Sequence, residues 1–427
     1  MPKKKSRTKQ APPEEDALDD FSTKSRCSDE SELDLQTPSE TDSELSSASV
    51  SSKLAIAVDA LCEKRPELRI SALEALIKTF RTNYIFLDDS WNYYDTFLSG
   101  LESILKKGKQ QEQTLAAECL AISSALSTPF DVRSLVPRFQ SLLETKLADI
   151  SIASTFRGAC ANALSALVFF GNFDDYSSIK SMMKVFEGIF RGSCLKGDGK
   201  APTNPPPVCT MHCACIRAWG LIYTIIPSFD AKTIGVDIMP CLLSLLQTSS
   251  LEVRIAAGDL VALVYERIRQ EVDPDYRGPH FHQLVQLLTD LATDGTKAKS
   301  KVDLKKQRQT FRDVLNFLKA SDMPFEQNIQ VGAERLEITS CLQNYHYQAL
   351  CQLLAYGLNS HLLQNELVRS VFDMGPPVTK STMSRAEKTM NKAARHYANQ
   401  FAFKVRTQYM LPSRDKRANV VETDIDM

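Results

Sequence analysis

Glycine and histidine, which build many catalytic sites, are scarce: the 427-residue chain has 16 glycines and six histidines. The glycines form no Walker loop, no Gly-x-Gly-x-x-Gly turn and no nucleophile elbow, and the histidines never have the His-Glu-x-x-His spacing. The chain therefore has none of the common sequence signatures of nucleotide-binding enzymes, serine hydrolases and zinc proteases. We therefore expect a protein that is not an enzyme and that uses no cofactor and no small-molecule substrate.

Long apolar runs are also missing. Nowhere do 18 apolar residues follow one another, and the basic start of the chain has no apolar segment behind it. We expect a protein that is not secreted, does not span a membrane and has no membrane partner. The eleven cysteines are an odd number, and most of them lie in amphipathic helical segments. This pattern favours reduced thiols in an intracellular compartment over a framework of disulfides.

The formal net charge of −1 conceals a strong segregation of charge along the chain. Residues 14–44 hold twelve acidic side chains against two basic ones, whereas residues 380–417 hold ten basic side chains against two acidic ones. The acidic, Ser-rich start has few residues that could form a core, so we predict that residues 1–53 are disordered. The basic end suggests a polyanionic partner such as nucleic acid.

A repeated pattern occupies the middle of the chain. Its clearest copy runs from Glu252 to Val264, and successive copies start 44, 44, 55 and 42 residues apart. The first aligned column, the anchor column, is polar and contains Arg69, Gln113, Arg157, His212 and Arg254. The column three residues later is small and contains Ala72, Ala116, Cys160, Cys215 and Ala257. The column six residues after the anchor contains Ala75, Cys119, Ala163, Ala218 and Leu260. The column seven residues after the anchor is apolar and contains Leu76, Leu120, Leu164, Trp219 and Val261.

A period of about 40 to 47 residues with paired helices is typical of HEAT and armadillo solenoids. We therefore predict an all-α, armadillo/HEAT-like α-solenoid over residues 54–295, and such folds bind other molecules more often than they catalyse. The longest gap contains a Pro- and Gly-rich insert at 192–208, which we expect to form a loop within the fourth helix pair. We expect Pro129 to stop the second helix of the second pair.

Basic residues collect in the segment after the repeats, residues 296–375. One helical face there carries Phe311, Val314, Leu315 and Leu318, and the rest of the helix is basic. We predict a loop from Met323 to Gln330, followed by a mixed segment that closes the end of the solenoid. The candidate RNA-binding residues of this segment are Lys297, Lys299, Lys301, Lys305, Lys306, Arg308 and Arg312.

A second basic helix is predicted within residues 376–427. Ser384-Arg-Ala-Glu387 has the form of a capping box, which begins a helix. At about 100° per residue, four apolar residues share one face and are expected to dock the helix: Met390, Ala394, Tyr397 and Phe401. Four basic residues on the opposite face are expected to contact phosphates: Arg385, Lys388, Lys392 and Arg395. The charge continues beyond the helix with Lys404, Arg406, Arg414, Lys416 and Arg417. The alternative is a basic face that is merely solvated.

The best candidate for a metal site combines thiolate and imidazole ligands that lie close together in the sequence. Its members are Cys209, His212, Cys213 and Cys215. On a helix, however, Cys213 and Cys215 point about 200° apart, and Cys215 fills the small column of the repeat. We therefore predict no metal here.

Five stretches have a distinctive sequence: the repeat copy from Glu252 to Asp259, the segment from Ala292 to Leu315, the segment from Asn365 to Val378, Lys404-Val-Arg-Thr and Arg414-Asp-Lys-Arg-Ala418. Together they resemble the interferon-related developmental regulator family. The resemblance therefore spans the repeats and the basic C-terminal part. It implies an armadillo-like body in a non-enzymatic regulator of gene expression.

The resemblance implies two roles. One is binding to idle ribosomes, with a C-terminal helix that enters the mRNA path and represses translation. The other is nuclear co-regulation of transcription, as a scaffold for transcriptional co-repressor proteins. We favour ribosome or RNA binding, because a protein scaffold needs no basic helix of this density. The expected location is the cytoplasm, with the nucleus as a second compartment.

Overall fold

The computed structural model describes the backbone of residues 40–87, 91–294, 301–320 and 327–377, and the side chains of 50–87, 91–294, 304–319 and 327–377. The predicted tail before residue 40 and the predicted helix near Ser384 lie outside the described residues. Within these ranges the chain is built mainly of helices, which confirms the predicted all-α class. No helix in the same ranges is long and apolar enough to cross a lipid bilayer.

Paired helices follow one another through the first part of the described chain. The two helices of each pair pack together, and the second helices of successive pairs pack against each other in a row. This arrangement confirms the predicted α-solenoid. The first helices, named outer helices, are α1 (Glu40–Ala60), α3 (Tyr94–Lys107), α5 (Pro129–Ala148), α7 (Tyr176–Phe190) and α9 (Ser228–Leu245). The second helices, named inner helices, are α2 (Pro66–Thr82), α4 (Gln110–Ser124), α6 (Ser154–Phe170), α8 (Pro206–Tyr223) and α10 (Leu251–Glu271).

The small and apolar columns of the repeat face the core. Every residue of the columns three and seven positions after the anchor is buried. Small side chains let neighbouring inner helices approach, and the large ones fill the space between the helices. The column six positions after the anchor is also buried, except that Ala75 is exposed. Ala75 lies in α2, which is the first inner helix and has an inner neighbour on one side only.

Side chains of the polar anchor column form hydrogen bonds at the connections between outer and inner helices. The last carbonyls of an α-helix have no partner within the helix, so other groups must donate to them. The side-chain amide of Gln113 donates to the carbonyl of Leu105 at 2.9 Å, and Nε of Arg157 donates to the carbonyl of Leu147 at 2.8 Å. Each anchor therefore joins the start of an inner helix to the end of the outer helix of its own pair.

The first and last anchors make the same kind of contact. Nη1 of Arg254 donates to the carbonyl of Thr248 at 2.6 Å, in the connection between α9 and α10. Nη1 of Arg69 donates to the carbonyl of Glu63 at 2.6 Å, in the connection between α1 and α2. The anchor column is thus a recurrent device that satisfies carbonyls where the chain changes direction.

The fourth pair differs because the insert lies between its two helices. A 3-10 turn, Arg191–Ser193, extends α7, and a loop then runs to the start of α8 at Pro206. The anchor His212 places its Nδ1 2.6 Å from the hydroxyl of Ser193. The helix begins inside the predicted insert, because a proline fits the first helical positions, where the backbone N–H has no partner within the helix.

Pro129 begins a helix and does not end one. The inner helix α4 already ends at Ser124, and α5 begins at Pro129. The hydroxyl of Thr128 caps α5 by accepting a hydrogen bond from the backbone N–H of Asp131 at 3.1 Å. The predicted role of Pro129 was wrong, because a proline that follows a capping threonine is suited to the first position of a new helix.

The first helix begins earlier than the hydrophobic pattern indicates. It starts at Glu40, so residues 40–53 are helical in the structure, although the predicted disordered segment includes them. The apolar residues that signalled this helix, Leu54, Val58 and Leu61, are buried as predicted. They lie at and just beyond the C-terminal end of α1, which explains why the periodicity reveals the helix so late.

Two helices and a β-hairpin follow the fifth pair. Helices α11 (Phe281–Thr293) and α12 (Lys301–Ala320) pack on each other, and α12 also packs on α10. The hairpin consists of β1 (Gln327–Val331) and β2 (Glu334–Ile338), which are antiparallel. It corrects the predicted loop from Met323 to Gln330, since residues 327–330 are strand.

The hairpin has the alternating burial of a strand pair with one face on the core. Its buried residues are Ile329, Val331, Leu336 and Ile338. Gly332 has a φ of +60° in the turn, a conformation that glycine adopts without strain. The described chain ends with α13 (Cys341–Leu354), α14 (Leu358–Gln364) and α15 (Glu366–Ser370).

Replacement of Arg157 by Met should destabilise the protein. The apolar stem is kept, but the carbonyl of Leu147 loses its donor. Loss of a hydrogen bond from a charged donor costs about 1.5–3 kcal/mol. Urea denaturation should show a decrease of this size in the free energy of unfolding. The matched control is Arg335→Met, at an exposed position of β2, which should change this free energy by less than about 0.5 kcal/mol. Equal losses in the two variants would contradict the role of the anchor column.

Candidate nucleic-acid interface

Helix α12 is amphipathic, as its sequence predicts. Its apolar residues Phe311, Val314, Leu315 and Leu318 are all buried against the neighbouring helices. Gly258 of α10 makes this contact possible, because a Cβ atom at that position would lie 2.8 Å from the Phe311 ring. Burial of one face of the helix fixes the direction in which the opposite face points.

The exposed side of α12 is basic. Lys305, Lys306 and Arg312 are exposed, and Arg308 is half-buried at the edge of this face. The structure therefore places five of the predicted RNA-binding residues on one helix, and it describes the side chains of four of them. Lys319 in the last turn is a further exposed basic residue, which the prediction did not include although it follows the same helical spacing.

A buried polar contact links α12 to the repeat. The side-chain oxygen of Gln307 accepts a hydrogen bond from Nη2 of Arg254 at 2.8 Å, and its nitrogen donates to the carbonyl of Leu291 at 3.1 Å. Beside it, Nε of Arg308 donates to the carbonyl of Asp294, just after α11, at 2.8 Å. The last anchor of the repeat therefore also positions the helix that carries the basic face.

Two carboxyl groups near the basic face have raised pKa values. Burial raises the pKa of Asp313 to about 6, and the charge of Arg312 opposes this shift. Burial also raises the pKa of Asp259 on α10 to about 6, and the charges of Arg217 and Lys306 oppose it. Mild acidification protonates both carboxylates and makes this part of the surface more positive.

The other predicted RNA-binding residues cannot be compared with the structure. Lys297 and Lys299 lie outside the described residues, and Lys301 is described in its backbone only. The predicted C-terminal helix, with its docking residues and the basic residues from Arg385 to Arg417, also lies outside the described ranges. The roles of these residues stay predictions.

Residues 341–372, named the return segment, run back over the inner helices from the fifth pair toward the first. At its start, the carboxylate of Glu266 on α10 accepts hydrogen bonds from the backbone N–H groups of Cys341 and Leu342, both at 2.7 Å. The ring of Tyr345 then lies on α8, where a Cβ atom at Gly220 would be 2.1 Å from its hydroxyl oxygen. A larger residue than glycine at this position of α8 would displace the return segment.

The second half of the return segment contacts the first two pairs. Nε of Arg81, at the end of α2, donates to the carbonyl of Leu353 at 3.1 Å, and Nε2 of His361 lies 3.1 Å from the carbonyl oxygen of Arg81. The side-chain nitrogen of Asn365 donates to the carbonyl of Ala125, just after α4, at 2.6 Å. The segment therefore covers the inner-helix surface, which solenoids commonly offer to their partners.

The sequence contained one signal for the return segment. Glu266 lies in an inner helix among buried apolar residues, and a buried carboxylate requires donors from elsewhere. Burial raises its pKa, and the hydrogen bonds from Cys341 and Leu342 oppose this shift. The sequence predicts only a mixed segment that closes the end of the solenoid, because nothing in the periodicity of residues 350–363 identifies the surface on which they pack.

A cavity of about 320 Å³ remains between α13 and the inner helices α4, α6 and α8. Its lining includes Gly158, Ala214 and Phe169, with His346 from the return segment. Nε2 of His346 lies 3.0 Å from the hydroxyl oxygen of Thr224, and burial lowers the pKa of this histidine to about 4. The imidazole is therefore neutral at physiological pH, and no predicted RNA-binding residue lines the cavity.

The cysteines and the histidine that were considered as metal ligands have other partners or surroundings. Nδ1 of His212 contacts the hydroxyl of Ser193. Burial raises the pKa of the Cys213 and Cys215 thiols to about 12, which disfavours the thiolate form that binds metals. In the part of the chain that the structure describes, no group of three or more potential ligands is arranged to hold a metal ion.

The paired helices make this chain an α-solenoid, a class in which stacked repeats form extended surfaces. A family model described as Interferon-related developmental regulator (IFRD) matches residues 20–319. A second, described as Interferon-related protein conserved region, matches residues 365–418. The chain therefore belongs to the interferon-related developmental regulator family, which confirms the resemblance seen in its sequence.

Similar proteins cover nearly the whole chain. Interferon-related developmental regulator 1 of Mus musculus is 32% identical over 420 residues, which are 97% of this chain and 92% of the mouse protein. The Homo sapiens protein of the same name is 32% identical over 414 residues, with 96% and 90% covered. Interferon-related developmental regulator 2 of Mus musculus is 33% identical over 365 residues, with 85% and 82% covered. These relatives are named as regulators and not as enzymes, which supports a regulator of gene expression.

Among solved structures, a crystal structure of an engineered protein is similar to part of this chain. It has 16% identity and a TM-score of 0.37, and the match covers 62% of this chain and 96% of the engineered one. The assignment to the family depends on the sequence matches alone.

Replacement of Glu266 by Ala should loosen the start of the return segment. The N–H groups of Cys341 and Leu342 lose their acceptor, and loss of a helix cap costs about 0.5–2 kcal/mol. Amide hydrogen exchange over residues 341–354 should therefore become several-fold to about tenfold faster. The control Glu252→Ala, at an exposed position of α10, should leave this exchange unchanged. Unchanged exchange in the Glu266 variant would show that the carboxylate does not hold α13.

The raised pKa of Asp313 should make stability depend on pH between about 4 and 6. In this range the folded protein binds a proton at Asp313 that the unfolded chain releases, so the contribution of Asp313 to stability falls as the pH rises and is constant above the window. Asp313→Asn should remove this contribution and raise the free energy of unfolding at pH 7 by about 1–2 kcal/mol, which is less than the full shift implies because Asp313 is partly exposed. Urea titrations at several pH values measure the profile.

The pH dependence that remains in the Asp313→Asn variant comes from the other shifted groups. Asp259 and Glu266 have raised pKa values and act in the same direction as Asp313, whereas the lowered pKa of His346 acts in the opposite direction. The control Asp290→Asn, at an exposed position of α11, should follow the wild-type profile. A profile of Asp313→Asn that coincides with that of the wild type would show that Asp313 does not titrate in this window.

Proposed function

We propose that the protein is a non-enzymatic regulator of gene expression that binds ribosomes or RNA and represses translation. The observation that carries this proposal is the basic face of α12, which its buried face holds in a fixed orientation. Contacts with phosphates supply most of the affinity when RNA is bound without sequence preference. The helix contains six Lys or Arg residues against two Asp residues, and one of these, Asp313, is a weakened acid.

The predicted C-terminal helix is the second RNA-binding element in this proposal. Four basic residues on one face would contact phosphates, and four apolar residues on the other face would dock the helix. A basic helix that lies in the mRNA path of a ribosome excludes mRNA from it, and translation is then repressed. Such a helix needs no catalytic group, since it acts by occupying space and by neutralising phosphates.

The return segment weighs against the alternative, a nuclear scaffold for transcriptional co-repressor proteins. A scaffold of this fold class would bind its partners on the inner-helix surface. Here the return segment covers that surface through buried contacts such as those of Glu266 and Asn365. A co-repressor would then have to bind elsewhere, for example at the acidic tail. We therefore propose the cytoplasm as the main location, with the nucleus as a second compartment.

Reversal of the three exposed basic residues of α12 should weaken binding to ribosomes and to single-stranded RNA. The variant carries Lys305→Glu, Lys306→Glu and Arg312→Glu. Each phosphate contact on a single strand contributes about 0.7 to the slope of log affinity against log salt concentration, so the slope should fall by about two. Sedimentation of the full-length variant with ribosomes and a salt titration with single-stranded RNA measure the two effects.

The matched control reverses three exposed lysines in the first two helix pairs, Lys64, Lys107 and Lys109, and changes the net charge by the same amount. It should keep most of the ribosome binding and the wild-type salt slope. Equal slopes for the wild type and the α12 variant would mean that the basic face of α12 is only solvated. An equal loss in both triple variants would mean that net charge, and not this face, governs the association.

A further inference from the structure

Two cysteines lie in contact at the start of the insert of the fourth pair. Cys194 follows the 3-10 turn after α7, and Cys241 lies in α9. Their Sγ atoms are 3.1 Å apart, although 47 positions separate them in the sequence. Both are free thiols in this structure. A disulfide has a sulfur–sulfur distance of about 2.05 Å, so a movement of about 1 Å would bring the two sulfurs to bonding distance.

The two thiols have different surroundings. Cys194 is half-buried. Its pKa is lowered to about 7 by hydrogen bonding with Cys241 and Ser244 and by the positive charge of Arg191, although burial opposes this shift. Cys241 is 3% exposed, and its pKa is raised by the contact with Cys194 and by burial. A partly exposed thiolate reacts with oxidants faster than a buried thiol. Cys194 therefore has the properties of the attacking thiol, and Cys241 those of the resolving thiol.

Hydrogen bonds hold the backbone on both sides of this contact. The backbone N–H of Leu195 donates to the hydroxyl oxygen of Ser244 at 2.6 Å, one helical turn after Cys241. At the other end of the insert, the side-chain nitrogen of Asn204 donates to the carbonyl of Gly192 at 3.2 Å. The insert residues 196–200 between these contacts are exposed. A small oxidant can therefore approach from the insert while the two sulfurs stay close together.

We propose that Cys194 and Cys241 form a redox-modification site, at which a peroxide closes a reversible disulfide within the chain. In the first step the Cys194 thiolate attacks one oxygen of hydrogen peroxide, the O–O bond breaks, hydroxide leaves and a sulfenic acid forms. In the second step the sulfur of Cys241 attacks the sulfur of Cys194, the S–S bond forms and water leaves. In total, two thiols and one hydrogen peroxide give one disulfide and two waters, and a dithiol reductant restores the thiols by exchange.

The disulfide joins the outer helices of the fourth and fifth pairs and fixes the root of the insert. The thiols normally stay reduced inside a cell, so the bond forms when peroxide rises. Because the cross-link also lowers the conformational entropy of the unfolded chain, the oxidised protein unfolds at a higher temperature than the reduced one. A rise in peroxide would thus make the region around the fourth and fifth outer helices more rigid.

The test treats the full-length protein with hydrogen peroxide and analyses its peptides by mass spectrometry without reductant. The expected result is a linked Cys194–Cys241 peptide at low peroxide concentration, loss of two free thiols per chain, and a rise of a few degrees in Tm. Dithiothreitol should reverse all three changes. In the Cys241→Ser variant the second step is blocked, so a sulfenic acid should accumulate at Cys194 and react with dimedone.

The control is Cys62→Ser, which removes an exposed thiol of the first helix pair and should leave the linked peptide unchanged. Failure to find the linked peptide at a peroxide concentration that already oxidises Cys62 would overturn the proposal. Dimedone labelling of the Cys241→Ser variant that is no stronger at Cys194 than at Cys62 would also overturn it. Should that variant not fold, Cys194→Ser replaces it, and it should lose none of the thiols that low peroxide removes from the wild type.

Discussion

The solenoid depends on hydrogen bonds to main-chain carbonyls at the connections between outer and inner helices. These carbonyls have no partner within their own helix, and each one that is buried without a donor costs about 1–3 kcal/mol. The anchor column supplies the donors, for example from Gln113 to Leu105 and from Arg157 to Leu147. A polar residue therefore recurs at the start of each inner helix, although the columns that follow it are small or apolar. One anchor lies at each connection, so the anchors recur along the sequence with the period of the helix pairs.

The last anchor extends the same interaction beyond the repeat. The guanidinium of Arg254 donates to the carbonyl of Thr248 and also to the side chain of Gln307 on α12. The planar fork of an arginine can serve two acceptors at once, which a lysine does less well. Burial lowers the pKa of Arg254, and its acceptors offset part of the cost of burying the charge. The orientation of the basic face thus follows from the same contact that closes the fifth pair.

The sequence predicted the parts of the molecule whose signals are local and repeated. The anchor, small and apolar columns lie within single helices, and the basic face of α12 follows from the helical period. The return segment depends on contacts between distant residues: Arg81 and Leu353 are 272 positions apart, and Arg81 and His361 are 280 apart. Periodicity within a short window contains no information about such pairs. The hairpin was missed because strands of five residues are too short to be distinguished from a loop by their period alone.

The candidate interface, too, could be predicted only where its features depend on local sequence. The residue types and the exposed side of α12 follow from its sequence, but the hydrogen bond of Arg308 to Asp294 depends on how α11 packs beside it. The raised pKa of Asp313 also depends on this packing, since burial causes it. A count of charges therefore gives the sign of the surface, whereas the structure decides which of the charges can contact a partner.

Closure of the inner-helix surface limits where a partner can bind. Displacement of the return segment would expose the carbonyls and amides that it now satisfies, and it would leave Arg369, which is 1% exposed, without its present surroundings. This arginine makes a bidentate pair with Glu334 of the hairpin, at 2.9 and 3.0 Å, and donates to the carbonyl of Leu362 at 2.8 Å. A partner that competes for this surface would have to replace these contacts as well as those of Glu266 and Asn365. Binding on the outer side of the solenoid or on α12 carries no such cost, so the fold itself favours partners that approach from outside.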